Sequence, residues 1–199
     1  MKTKTFLTAL LLLLATTVMA QTEKGKFLVS GKTSLDFTFS STEISGSAVV
    51  GYTGAQSTYN FNITPAFGYF IIDNLAVSLQ TSYAVNNGKT KSQTSQFIFM
   101  PDITYYLPIS QIVRPFVQVG GGYVNISTKT PLTSGGKATQ SFNGYTLGGG
   151  IGLAFFVKRN ISLDLSGQYA VIKTSFSGDS SIKMDMKGFA GAIGFSLFF

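Results

Sequence analysis

Few side chains in this sequence can do chemistry, and their spacing narrows the set further. Asp36, Asp102 and Asp164 fall at even positions of stretches whose odd positions are apolar, and Lys32 and Arg114 share that parity. Two carboxylates on one face are the minimal apparatus of glycoside hydrolysis. Cations among carboxylates make instead an ion-pair network, or a gate for small ions. The 199 residues include no histidine and no cysteine. A Ser-His-Asp triad, an HExxH zinc site, a histidine base and a cysteine metal cluster therefore have nothing to build them. Gly148-Gly149-Gly150-Ile151-Gly152 contains a G-x-G but lacks the following helix of a nucleotide fingerprint. No cofactor and no metal site is expected.

The elements that must carry these residues read as strands. Alternation with period two recurs in eight windows: 27–39, 59–71, 75–85, 97–107, 115–125, 145–157, 161–171 and 189–199. Of the 51 odd positions in these windows, 40 are Ala, Val, Ile, Leu, Met, Phe or Tyr and none is charged. The even positions are mostly Ser, Thr, Asn, Gln and Gly, with the few charges among them. Alternate residues of a strand face opposite sides of the sheet. A soluble barrel would show water a face rich in Lys and Glu. Here one face is small and uncharged and the other is aromatic and aliphatic, which suits the inside of a narrow barrel and its lipid-facing outside. Gly120-Gly121-Gly122 leaves the phase of the fifth strand open and suggests a bulge.

Residues 1–20, MKTKTFLTALLLLLATTVMA, combine a basic start, an apolar run too short to span a bilayer and a small-residue cleavage site. They predict a cleaved export signal, with a mature domain over 21–199. Removing Lys2 and Lys4 lowers the net charge from +7 to +5. The connections alternate short and long. Asp73-Asn74, 108–114 and 158–160 are short, while 40–58, 86–96, 126–144 and 172–188 are long and polar. Short periplasmic turns, long outer loops and an even strand count place both termini in the periplasm. A hairpin built from Ile44, Val49, Val50 and Tyr52 would raise the count to ten.

Aromatic placement adds an independent line. With the long loops outside, Tyr59, Tyr83, Tyr123, Tyr145, Tyr169 and Phe189 fall on the apolar face near the outer end of their strands. Tyr69, Tyr105, Phe155 and Phe199 cluster near the inner end. Rings of this kind favour the two membrane interfaces. The chain thus resembles the small eight-stranded outer-membrane barrels of Gram-negative bacteria, such as the OmpA transmembrane domain and OmpX. The expected fold class is all-β: an eight-stranded antiparallel up-and-down transmembrane barrel. The last strand, Gly188 to Phe199, alternates and ends in Phe, and resembles the signal read by the barrel-assembly machinery. Nothing after Phe199 resembles a peptidoglycan-binding domain.

In such a barrel Phe70, Tyr106, Phe116, Phe156 and Phe198 would form an apolar lower plug. Charges in a cramped interior must be paired. The expectation is a Lys32–Asp102 pair near mid-barrel and an Arg114–Asp164 pair lower down, as part of a network including Asp36. A filled lumen offers these carboxylates no substrate cleft, so no enzymatic activity is expected. Lys173 and Lys187 sit just beyond the tyrosine row, where phosphates of lipopolysaccharide would lie. Expected partners are outer-membrane lipid and lipopolysaccharide, with the assembly machinery during insertion. An exported barrel with two arginines is no nucleic-acid binder. The expected role is structural: envelope integrity and presentation of surface loops. A small-solute or ion pore, and an adhesin acting through the loops, are the alternatives.

Overall fold

The structure, a computed structural model, describes residues 22–45, 57–88, 92–132 and 136–199, with side-chain detail outside 34–60. The alternating windows form eight strands: β1 (Phe27–Ser45), β2 (Ser57–Ile72), β3 (Leu75–Gly88), β4 (Gln93–Tyr106), β5 (Val113–Pro131), β6 (Lys137–Lys158), β7 (Ile161–Phe176) and β8 (Lys183–Phe198). Each pairs antiparallel with its sequence neighbours, and β8 closes on β1. Closure makes a ring of eight strands among the described residues; Val49, Val50 and Tyr52, which a ten-stranded count would need, lie outside them. The expected export signal lies outside the described residues.

Strand tilt follows from the register. Phe39 pairs with Phe189, then in turn come Tyr169, Gly149, Val119, Ile103, Val77, Tyr69 and finally Phe27. One circuit returns to β1 lower by 39 − 27 = 12 residues. Two of the twelve come from an irregularity between Ser34 and Thr38 on β1. This shear puts the strands at the steep end of the roughly 35–45° tilt of such barrels.

At the end with the short turns the strand bounds lie within two residues of the alternating windows. At the opposite end the strands run several residues further. β6 is 22 residues long and β5 pairs with it up to Pro131↔Lys137, whereas about 9–11 tilted residues cross a bilayer. Outside the membrane both faces of a hairpin meet water, so alternation stops while the hydrogen-bond ladder continues. The expected bulge in β5 is also absent: β5–β6 runs from Val113 to Pro131 without a register shift. Gly120 and Gly122 instead let β5 approach β4, and Gly121 lies against Leu147 of β6. A Cβ on Gly122 would stand 2.0 Å from the Phe99 carbonyl oxygen, and one on Gly120 would stand 2.8 Å from Asp102 Cβ.

Candidate functional site: the lumen and its rims

Inward-facing residues stack into layers. At the short-turn end Leu28, Phe70, Ala76, Tyr106, Phe116, Ala154, Phe156 and Phe198 form a buried cluster. Ring centroids lie 5.1 Å apart for Phe156–Phe198, 5.6 Å for Tyr106–Phe116 and 5.9 Å for Phe70–Tyr106, distances at which tilted rings attract. All five aromatic residues that the sequence placed in a lower plug are in it.

Below the plug, Thr22 to Lys26 fold back onto the β2–β3 turn. Gly25 N donates to the Phe70 carbonyl at 2.9 Å, Asn74 N to the Thr22 carbonyl at 2.6 Å, and Lys24 N to Asp73 Oδ1 at 2.8 Å. Asn74 has φ 67°, a left-handed conformation that asparagine tolerates better than most residues. Arg114 Nη1 donates to Thr22 Oγ1 and, at 3.1 Å, to Asn74 Oδ1. Its Nε donates to the Ser110 carbonyl at 3.2 Å, and its guanidinium lies 5.7 Å from the Phe156 ring centroid. Arg114 therefore fastens a cap over the short-turn end and does not pair with Asp164. The sequence reading missed Thr22 and Asn74; the only local signal was an Asn in a two-residue turn.

Asp164 accepts hydrogen bonds from Ser162 Oγ at 2.7 Å and from Ser196 Oγ, both within the buried interior. Asp102 Oδ2 accepts from Thr104 Oγ1 at 3.1 Å. Lys32 extends across the lumen and donates to Gln118 Oε1 at 3.1 Å, with its ammonium 5.5 Å from the Phe116 ring centroid. It passes over Gly194, where a Cβ would stand 2.8 Å from Lys32 Cγ. The expected Lys32–Asp102 contact is replaced by a cross-barrel strut within electrostatic reach of both Asp164 and Asp102. The buried Gln80 amide interacts with the Asp102 carboxylate, though Gln80 Nε2 and Asp102 Oδ1 complete no hydrogen bond of full geometry. The side chain of Asp36 lies outside the described ones.

Above Lys32 the lumen holds a cavity of about 170 Å³. Its walls differ: β1–β3 and β5 contribute Lys32, Asn62, Thr64, Gln80, Ser82 and Gln118, while β6–β8 contribute mainly glycine and alanine. Nearer the outer end, Val124, Ile126 and Met184 form a second buried cluster with Ile98, Phe142, Ile172 and Met186 against it. Nothing in the sequence reading distinguished this upper apolar layer from the polar inner face around it.

On the outer surface Tyr83, Tyr123, Tyr145, Tyr169 and Phe189 are exposed, as are Tyr69, Tyr105 and Phe155 nearer the short turns. Tyr59 lies outside the described side chains. The Phe189 ring covers Gly167, where a Cβ would stand 2.7 Å from it. Tyr123 Oη donates to Asn143 Oδ1 at 2.7 Å, and Asn143 Nδ2 donates to Ser177 Oγ at 2.7 Å, tying the β5–β6 hairpin to the β7–β8 loop. Lys173 and Lys187 are exposed on the outward face; Lys173 pairs in register with Tyr145 and Asp185, and Lys187 is two residues from Phe189. Phe199 exchanges backbone hydrogen bonds of 3.0 Å with Phe27, at the β8–β1 closure.

A closed eight-stranded sheet with an apolar exterior, a filled polar-and-aromatic interior and extended hairpins at one end defines an outer-membrane β-barrel. The chain belongs to the outer membrane protein beta-barrel domain family, which it matches over residues 6–199. No curated protein matches its sequence. Among solved structures it is similar to outer membrane protein AlkL in lipid bilayers, with 17% identity, TM-score 0.58 and coverage of 92% of this chain and 94% of that one. It is also similar to OprG of Pseudomonas aeruginosa, with 16% identity, TM-score 0.55 and coverage of 90% and 98%. For Neisserial surface protein A the values are 16%, 0.54, and 87% and 99%. At such identities the likeness is one of fold.

Proposed function

We propose that this outer-membrane barrel is a non-catalytic envelope protein, whose periplasmic half seals the membrane and whose outer hairpins face the surroundings. The observation that carries this reading is the double closure of the lower lumen, by five aromatic rings and then by the Arg114–Thr22–Asn74 cap. A pore would need a continuous polar path at that level. Residues 1–20 direct export and are removed, and both termini face the periplasm. The aromatic rows hold the barrel at the two interfaces, Phe199 serves the assembly machinery, and the interior charges are structural.

Lys173 and Lys187 contact phosphates of lipopolysaccharide. Titrating the refolded protein with lipid A tests this: the Lys173→Ala, Lys187→Ala double variant should bind several-fold more weakly, as expected from about 1 kcal/mol per basic residue near an anionic surface. Equal binding would remove the contact. The envelope role itself is tested by leakage of a periplasmic enzyme from cells lacking the protein. Restoration by the wild-type chain supports the role, and a deletion strain as tight as its parent contradicts it.

A further inference from the structure

The three connections at the short-turn end differ in chemistry. Each has the same approach: Tyr69, Tyr105 and Phe155 are followed two positions on by another exposed apolar residue, Ile71, Leu107 and Val157. Beyond it the β2–β3 turn is Asp73-Asn74, and β6 ends on Lys158 before turning through Arg159-Asn160. Those are charged and polar groups that belong in water. The β4–β5 connection stays apolar. Ile109 and Ile112 are each 69% exposed, and no residue from Ile103 to Val113 is charged. The nearest cation, Arg114, is engaged by Thr22 and Asn74 of the cap.

The backbone of this connection is met by protein on both its donor and its acceptor side. Leu107 N donates to the Pro115 carbonyl at 2.8 Å and Ile109 N to the Leu107 carbonyl at 2.9 Å, while Pro108 has no N–H to satisfy. Ile112 N donates to Ser110 Oγ at 3.1 Å. The Ser110 carbonyl accepts from Arg114 Nε at 3.2 Å, and the Ile112 carbonyl accepts from Phe156 N at 2.7 Å. Irregular backbone enters lipid only when protein meets its polar groups in this way. A connection in water needs no such closure, and water disfavours the two isoleucines that it holds outward.

We propose that the β4–β5 connection is a membrane-inserted lip, with Ile109 and Ile112 among the acyl chains of the leaflet at the short-turn end. The occupant of this surface is lipid, because the isoleucines continue the lipid-facing surface of Ile103, Tyr105 and Leu107 with no charged residue between. Lipid then reaches lower beside β4–β5 than beside the charged turns. Tilt of the barrel or local thickening of the leaflet supplies that depth, each at modest cost.

Because the chain contains no cysteine, a single introduced thiol can carry a nitroxide at a chosen position. Ile109→Cys and, independently, Ile112→Cys are compared with Arg159→Cys on the charged turn and with Val119→Cys, which is 62% exposed in the middle of β5 and serves as the lipid reference. Each labelled protein is refolded into phospholipid nanodiscs, where both membrane faces are open to solutes, and folding is verified by heat-modifiable gel mobility. Spin relaxation is then measured with molecular oxygen and with a neutral nickel chelate. Oxygen concentrates in the apolar layer and the chelate in water, so the chelate-to-oxygen ratio at 109 and 112 should be at least about threefold lower than at 159 and approach that at 119. A ratio at 109 and 112 equal to that at 159 would place the connection in water and overturn the proposal. Low access to both reagents at 109 and 112 would overturn it as well, because the isoleucines would then be covered by protein, such as a second copy of the chain.

Discussion

The two halves of this barrel solve the same problem with different materials. In the half that carries the short turns the lumen is filled by interlocking rings, the turns are two residues long where Asp73-Asn74 and Arg159-Asn160 make them, and all eight seams are paired. In the outer half the lumen holds a cavity lined by polar and small side chains beneath a second apolar layer, the hairpins outrun the membrane, and among the described residues the β1–β2 pairing stops at Lys32↔Thr64. An eight-stranded lumen is only wide enough for side chains. Their size then decides whether a level is closed or hollow: Phe and Tyr close the lower levels, while inward Gly and Ala on β6–β8 leave the upper one hollow.

Truncating a ring should strike hardest. Phe70 is fully buried between Tyr106 and Phe198, so Phe70→Ala should lose about 3–5 kcal/mol of stability in denaturant unfolding from vesicles followed by circular dichroism. Met184→Ala in the upper cluster should cost less, about 2 kcal/mol, because Ile98 of that cluster borders the cavity and has room to relax. Equal losses would erase the contrast between the halves. Asp164→Ala comes next, at about 2–3 kcal/mol, since it leaves the hydroxyls of Ser162 and Ser196 buried without their acceptor. Thr22→Val in the cap should cost about 1 kcal/mol and hasten amide exchange at Asn74, whose N–H donates to the Thr22 carbonyl. An unchanged exchange rate would separate the cap from the plug.

The smallest effect lies in the β7–β8 loop. Hydrogen bonds from Ser181, first its hydroxyl and then its backbone N–H, hold the Asp179 carboxyl below the ordinary carboxylate value. A lowered value means the ionised form is favoured in the fold. The turn is therefore fully held above the ordinary carboxylate range and loosens as pH falls through the lowered value. The Ser181 amide resonance should titrate with that midpoint, and Asp179→Asn should abolish the titration. A midpoint at the ordinary value would show that the turn does not favour the ionised form.

Much of this architecture was legible in the residues, and the gaps have physical causes. Period two assigned the faces, and the short turns fixed the strand ends they join. The outer ends were not legible, because hairpins in water need no apolar face; β6 begins at Lys137 where alternation begins at Tyr145. The plug aromatics were readable from parity alone. The ion pairs were not, because parity gives a face and not a height. Height across the barrel depends on the shear of twelve, which lines Lys32 up with Gly194 and Asp164 instead of Asp102. The Thr22–Arg114 cap was invisible for a related reason, since it joins residues 92 positions apart through a turn.

The central claim is that the lower lumen is shut. Single-channel recording of the refolded protein in planar bilayers tests it most directly, with the Phe70→Ala, Phe198→Ala double variant alongside. Closure by the plug predicts no discrete conductance steps for the wild-type chain, and steps for the variant once its heat-modifiable mobility shows that it is folded. Regular wild-type steps, unchanged when the two rings are removed, would contradict it.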